Sequence, residues 1–131
     1  MDLSYLDEML NADDETTRLA NLRQLFDENY EAARDVAFTE EVNNHVHTIY
    51  SFSPYSPTYA AFMARLSGLA AVGSVDHDSI AGAEEMMSAG KILDLGTTVG
   101  CELRVNFNGT SVEGRELNNP ATVNIAYRVL H

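Results

Sequence analysis

Leu69-Ala70-Ala71-Val72-Gly73-Ser74-Val75, running directly into Asp76-His77-Asp78, is the stretch on which the fold turns. A short apolar run bounded by Gly68 and a polar triplet reads as a buried strand of the kind found in parallel sheets. Upstream of it, Ser56 is placed to cap a helix whose first position is Pro57, where the missing N–H costs nothing. That helix carries Tyr59, Phe62, Met63 and Leu66 and stops at Gly68. Earlier still, residues 42–49 read as a strand leading into the turn-rich Ser51-Phe52-Ser53-Pro54-Tyr55-Ser56-Pro57. Downstream, a helix is predicted from about residue 79 to 93 or 95, with Asp78 as a candidate N-cap and Gly96 as its stop. Residues 97–105 and 122–130 read as further strands, separated by a Gly- and Asn-rich loop or hairpin at 106–120. Strands alternating with helices of this length predict β-α-β units, hence an α/β fold with a mainly parallel sheet.

The rest of the 131-residue chain has a different texture. Twenty acidic against eight basic residues give a net charge of −12. Residues 1–44 hold twelve of those acids and only three arginines. Leu19, Leu22, Phe26 and Tyr30 recur at three- and four-residue steps, one face of a helix. Asp13 or Asp14 is placed to cap it, and Leu3, Leu6, Met9 and Leu10 suggest a helix before it. Residues 1–38 are therefore expected to form an acidic helical extension packed on the main domain. Such a charge argues against nucleic acid and anionic membranes as partners, since both need clustered Lys and Arg. A small phosphorylated substrate remains open, because a metal and two or three local cations can hold one. A single cysteine, Cys101, leaves no internal disulfide, and no secretory signal or spanning segment is visible. The expectation is a cytoplasmic protein with no membrane contact.

Three residue groups carry chemistry. His45 and His47 are two apart, so on a strand both imidazoles leave the same face and can chelate one divalent ion. Asp76-His77-Asp78 follows the buried strand, as a metal site with its supporting carboxylates or as a hydrogen-bonded turn. Glu102 sits among Val99, Leu103 and Val105, where a lone carboxylate is costly unless paired or metal-bound. In a parallel β/α array all three groups fall at the carboxyl ends of consecutive strands, the rim where active sites of such folds gather. Nitrogen and carboxylate donors suit Zn, Mn or Fe. Arg104, two residues past Glu102, faces the same way on a regular strand and can meet a phosphate or pair with a carboxylate. Arg65 and Lys91 are expected on helix surfaces, and Cys101 as a buried structural thiol.

His45-Val46-His47-Thr48, then Val75-Asp76-His77-Asp78-Ser79-Ile80-Ala81-Gly82, then Gly100-Cys101-Glu102, resembles the first three motifs of the polymerase and histidinol phosphatase (PHP) family. The resemblance covers roughly residues 40–105. It implies a distorted, TIM-like β/α barrel with a two- or three-metal centre that hydrolyses phosphoesters. His45, His47 and Glu102 would bind one metal, His77 a neighbouring one, and Glu102 would bridge them. Asp76 would be a supporting partner or an additional ligand, and His131 a further ligand at the end of the next strand. The family commonly carries another His or Asp five or six residues after the second histidine of its first motif. Here those positions hold Phe52 and Ser53.

A closed β/α barrel takes about 250 residues. The sequence stops on the apolar run Ala126-Tyr127-Arg128-Val129-Leu130-His131, so residues 39–131 are expected to be the N-terminal part of a barrel, truncated here. An unpaired edge at 122–130 would invite self-association. The expected function is metal-dependent phosphoester hydrolysis, with Asp76 and Arg104 as the candidate catalytic side chains. The alternative is a degenerate, non-catalytic metal-binding or interaction module of the same fold. No candidate ligand lies in residues 1–38, so their removal is expected to leave metal binding largely unchanged.

Overall fold

In a computed structural model of the chain, which describes residues 3–28, 35–113 and 127–130, three parallel strands alternate with helices. The order is α1 (Leu3–Leu10), α2 (Glu15–Glu28), β1 (Val42–Val46), α3 (Pro57–Leu66), β2 (Ala71–His77), α4 (Ala83–Leu93), β3 (Gly96–Asn106) and β4 (Tyr127–Leu130). The sheet runs β1-β2-β3-β4, parallel across the first three strands. β4 is antiparallel to the end of β3, with Leu103 opposite Leu130. The last strand thus departs from the parallel pattern. Of the expected strand at 122–130, residues 122–126 lie outside the described residues. No described helix is long and apolar enough to cross a membrane.

The two crossover helices, α3 and α4, pack on each other and on the sheet. Phe62 and Ala61 of α3, Met86, Ala89 and Leu93 of α4, and Val72 of β2 form the core between them. Gly90 of α4 lies where a Cβ would collide with the Thr97 side chain, so helix and sheet approach at the one residue type that allows it. Side chains alternate along a strand. Val72 and Thr97 therefore face the helices, while Gly73, Val75 and His77 of β2 and Thr98, Gly100 and Glu102 of β3 face the other way.

α1 and α2 form an outer layer on α3 and α4. Of the expected stripes, Leu6, Leu10 and Leu22 join the core, and Met9, Leu19 and Phe26 pack against it. Leu25, outside the expected stripe, is buried with them. Tyr30 lies outside the described residues. Asp14 is the residue that caps α2, accepting from Thr17 N at 2.8 Å. Ser56 caps α3, accepting from Tyr59 N at 2.9 Å, and its own N–H donates to Asn11 Oδ1 at 2.7 Å. The strongest tie is Arg18. Its Nε and Nη2 donate to Glu85 Oε1 and Oε2 at 2.8 and 2.6 Å, and both side chains are inaccessible to solvent. Thr58 completes the cage, donating its N–H and hydroxyl to Glu85 Oε1 at 3.2 and 2.7 Å.

Several local expectations change. β1 ends at Val46, not 49, because the chain turns on Thr48, whose carbonyl accepts from Ser51 N and Ser53 N. β2 starts and ends two residues later than expected, so Asp76 and His77 are in the strand rather than after it. Asp78 does not cap a helix. It sits in the left-handed region (φ 54°), and α4 begins only at Ala83, with Gly82 at its N-cap. α4 ends at the left-handed Asp94, and Gly96 opens β3 instead of closing the helix. Arg65 is buried, not on the surface: Nη1 donates to Val36 O at 2.8 Å and the guanidinium lies 4.2 Å from the centre of the Phe38 ring. Lys91 is exposed, as expected, and Cys101 is half-buried.

Candidate metal centre

The pairing of β1 with β2 slips between Asn43 and Val46: Asn43 stands opposite Val72, but Val46 opposite Ser74. This bulge adds one residue to β1, and bulges re-aim side chains in this way. It turns Val46 toward the core and leaves His45 and His47 on the face that carries His77 and Glu102. His47 is one residue past the strand end, so the two imidazoles meet through the bulge and the following turn rather than by plain strand alternation.

That turn is held by Asp76. Its carboxylate is buried and takes both donors of one residue, Thr48 N to Oδ1 at 2.7 Å and Thr48 Oγ1 to Oδ2 at 2.8 Å. Asp76 therefore fixes the backbone directly after His47. On the next rim loop, Asp78 N donates to Glu102 O at 2.9 Å, tying the end of β2 to β3. Register does the rest, since His77 lies opposite Glu102.

The donor atoms converge on one carboxylate. His45 Nε2 lies 3.1 Å and His47 Nε2 3.6 Å from Glu102 Oε2, and the two nitrogens are 3.3 Å apart. His77 Nε2 approaches the other oxygen, Oε1, at 3.3 Å. The rings of His47 and His77 stack at 4.6 Å, and Ser51 Oγ sits 3.2 Å from His47 Nδ1, holding that ring with Nε2 toward Glu102. Glu102 itself is buried, with 6% of its surface exposed.

These distances suit a divalent ion. Four ligands about 2.0–2.1 Å from a tetrahedral ion stand roughly 3.3 Å from one another. The three edges of the His45, His47 and Glu102 triangle bracket that value. Among the described residues these three form the group whose donor atoms all lie within 4.8 Å of one another. The chemistry of the set agrees. Two imidazole nitrogens and a carboxylate oxygen are donors that a divalent transition-metal ion takes. His77 Nδ1 is buried with no hydrogen-bond partner among the described residues.

Asp76 stands outside this triangle, at the Thr48 turn. Arg104 follows on β3, with its backbone opposite Val129, and its side chain lies outside the described residues. His131 lies outside them too. Sequence reasoning missed two supporting hydroxyls, Thr48 and Ser51. Thr48 stood in the quoted His45-Val46-His47-Thr48 motif without a role; Ser51 had no signal beyond lying four residues after His47. Phe52 and Ser53 bring no nitrogen or carboxylate to the cluster. Phe52 is 88% exposed, with its ring 5.5 Å from that of His77.

No family model and no curated protein matches the chain. Among solved structures it is similar to a "putative metal-dependent phosphoesterase" from Bifidobacterium adolescentis. The likeness has 30% identity and a TM-score of 0.49, and covers 51% of this chain and 23% of that one. The chain thus spans about a quarter of that protein's length.

Proposed function

We propose that the rim cluster is a metal centre for hydrolysis of phosphate esters. The observation that carries the reading is the convergence of three imidazole Nε2 atoms on the two oxygens of Glu102. His45, His47 and Glu102 would hold one divalent ion, Zn, Mn or Fe, and His77 a neighbouring one through the second oxygen. Such ions polarise a phosphoryl oxygen and lower the pKa of bound water, which is the chemistry the hydrolysis needs. The chain's own part is positional. Asp76 fixes the Thr48 turn, Ser51 orients His47, and the buried carboxylate of Glu102 is oriented from two strands at once. Arg104 is the candidate phosphate contact. Residues 39–131 would supply one side of a distorted β/α barrel, whose interior is the face bearing Gly73, Gly100, His77 and Glu102, with residues 1–38 as a helical layer outside it. The β4 edge is proposed as a route to self-association.

One observation favours a second reading, a metal-binding module without turnover: Phe52 and Ser53 occupy the positions where the resemblance calls for a further ligand. Both readings require metal, and only the first requires hydrolysis. The test is to load the chain with Zn or Mn and follow phosphate release from an aryl phosphate, beside His45→Ala and Glu102→Gln. Metal-dependent release lost in both variants supports the enzyme. Stoichiometric metal with no release at any loading supports the module.

A further inference from the structure

Phe52 is the most exposed large apolar side chain among the described residues, and it stands beside the centre rather than away from it. Its backbone is in the left-handed region (φ 62°), which a bulky residue rarely adopts. The strain is not offset by burial, since the residue is 88% exposed; its ring stands edge-on to His77, at 5.5 Å between centres. A strained residue held in place beside candidate ligands is a pattern found at functional sites. The turn that presents it is anchored at both ends of the exposed segment. Thr48 O accepts from Ser51 N and Ser53 N, and Asp76 holds Thr48. The neighbouring loop adds apolar surface: Ile80 is 67% exposed, and Gly82 leaves the space the Tyr50 ring fills, since a Cβ there would lie 3.0 Å from that ring.

We infer that Phe52 is a stacking platform for a flat, unsaturated ring carried by the phosphoester, so that the centre takes aryl or heteroaryl esters in preference to alkyl ones. This rests on the phosphoester reading above. With the phosphoryl group at the His45, His47, His77 and Glu102 cluster, the organic part of the ester leaves over the rim, where the exposed face of Phe52 offers an area of contact to a planar group. Stacked aromatic pairs gain more than the same area of aliphatic contact, because ring quadrupoles align in offset or edge-on geometry.

The test uses two ligands that are not hydrolysed, phenylphosphonate and methylphosphonate, titrated calorimetrically into the zinc-loaded chain. The expected result is about ten-fold tighter binding of the phenyl compound, the scale of one stacking contact. That ratio should fall to about two-fold or less in Phe52→Ala and Phe52→Leu and persist in Phe52→Trp, with methylphosphonate binding alike in all four proteins. Equal affinity for the two compounds, or a preference that survives in Phe52→Ala, overturns the inference and leaves the metal-centre reading intact. Failure of both compounds to bind the zinc-loaded chain overturns the phosphoester reading and the platform with it.

Discussion

Two buried glutamates, on consecutive elements of one fold, have opposite surroundings. Glu85, in the first turn of α4, accepts four hydrogen bonds, two from Arg18 and two from Thr58, and Arg18 brings a full counter-charge. The hydrogen bonds and charge of Glu85 hold the Arg18 guanidinium above its ordinary pKa, so Arg18 keeps its charge. Glu102, at the end of β3, is nearly as buried but is surrounded by imidazole nitrogens, whose charge depends on protonation. The same side chain is thus used in two ways. One carboxylate is saturated by the chain and fastens the N-terminal helices to the core. The other is ringed by imidazole nitrogens in an arrangement that could bind a metal ion.

The contrast can be broken most severely at its saturated end. Arg18→Ala leaves Glu85 charged, buried and short of its partner, which costs about 3–5 kcal/mol. Thermal unfolding of the metal-free chain should show the loss at once. Replacing both Arg18 and Glu85 with apolar residues of similar volume should recover most of it. The same geometry revises one expectation: deleting residues 1–38 removes Arg18 and exposes the α3 and α4 core, so the truncated chain should unfold rather than keep its metal affinity unchanged.

A smaller effect is expected at Asp76. Asp76→Asn puts an amide against the two Thr48 donors, and an unsatisfied buried group costs about 1–3 kcal/mol. It also loosens the turn after His47, so zinc affinity should fall about 10–100-fold, as for other supporting partners of metal ligands. A loss of stability with unchanged zinc affinity would mean that the turn does not position His47. Ser51→Ala should lower zinc affinity by less and leave the unfolding temperature nearly unchanged, since only one ring hydrogen bond is removed.

The smallest effect belongs to the α2 cap. Hydrogen bonding to Thr17 holds the Asp14 carboxyl below its ordinary pKa of 3.8, so its stabilising contribution is present above that value and fades as pH falls through the lowered one. Circular dichroism of Asp14→Ala and the parent should therefore differ slightly at neutral pH and converge in strong acid.

The two ends of this comparison were not equally legible in the sequence. The β-α-β order followed from the apolar run at residues 69–75 and the Ser56-Pro57 start signal, because hydrophobic periodicity and capping act locally. The histidines and Glu102 were legible as candidates because each lies at or near a predicted strand end. His45 and His47, however, meet through the β1 bulge and the turn after it, which no local spacing signals. Strand ends were misplaced by two or three residues because tertiary hydrogen bonds decide them, as Thr48 with Asp76 shows. Asp78 looked like a helix cap, yet its N–H is taken by Glu102 O in a left-handed turn. Arg18 with Glu85, and Arg65 with Val36, were invisible, since 67 and 29 residues separate the partners and nothing local distinguishes a buried arginine from an exposed one.

Cation binding at the Glu102 cluster is what separates the two buried glutamates. The most direct measurement is the zinc content and unfolding temperature of the chain and of Glu102→Gln, each with and without excess zinc. The parent chain should hold about one zinc, with stabilisation of about 2.7 kcal/mol when free zinc is a hundred-fold above its dissociation constant. Glu102→Gln should hold no stoichiometric zinc, gain nothing from it, and unfold metal-free at or above the temperature of the parent, because a buried charge has been removed from among the imidazoles. A parent chain that binds no zinc, or a Glu102→Gln protein that binds it equally well, would contradict the central claim.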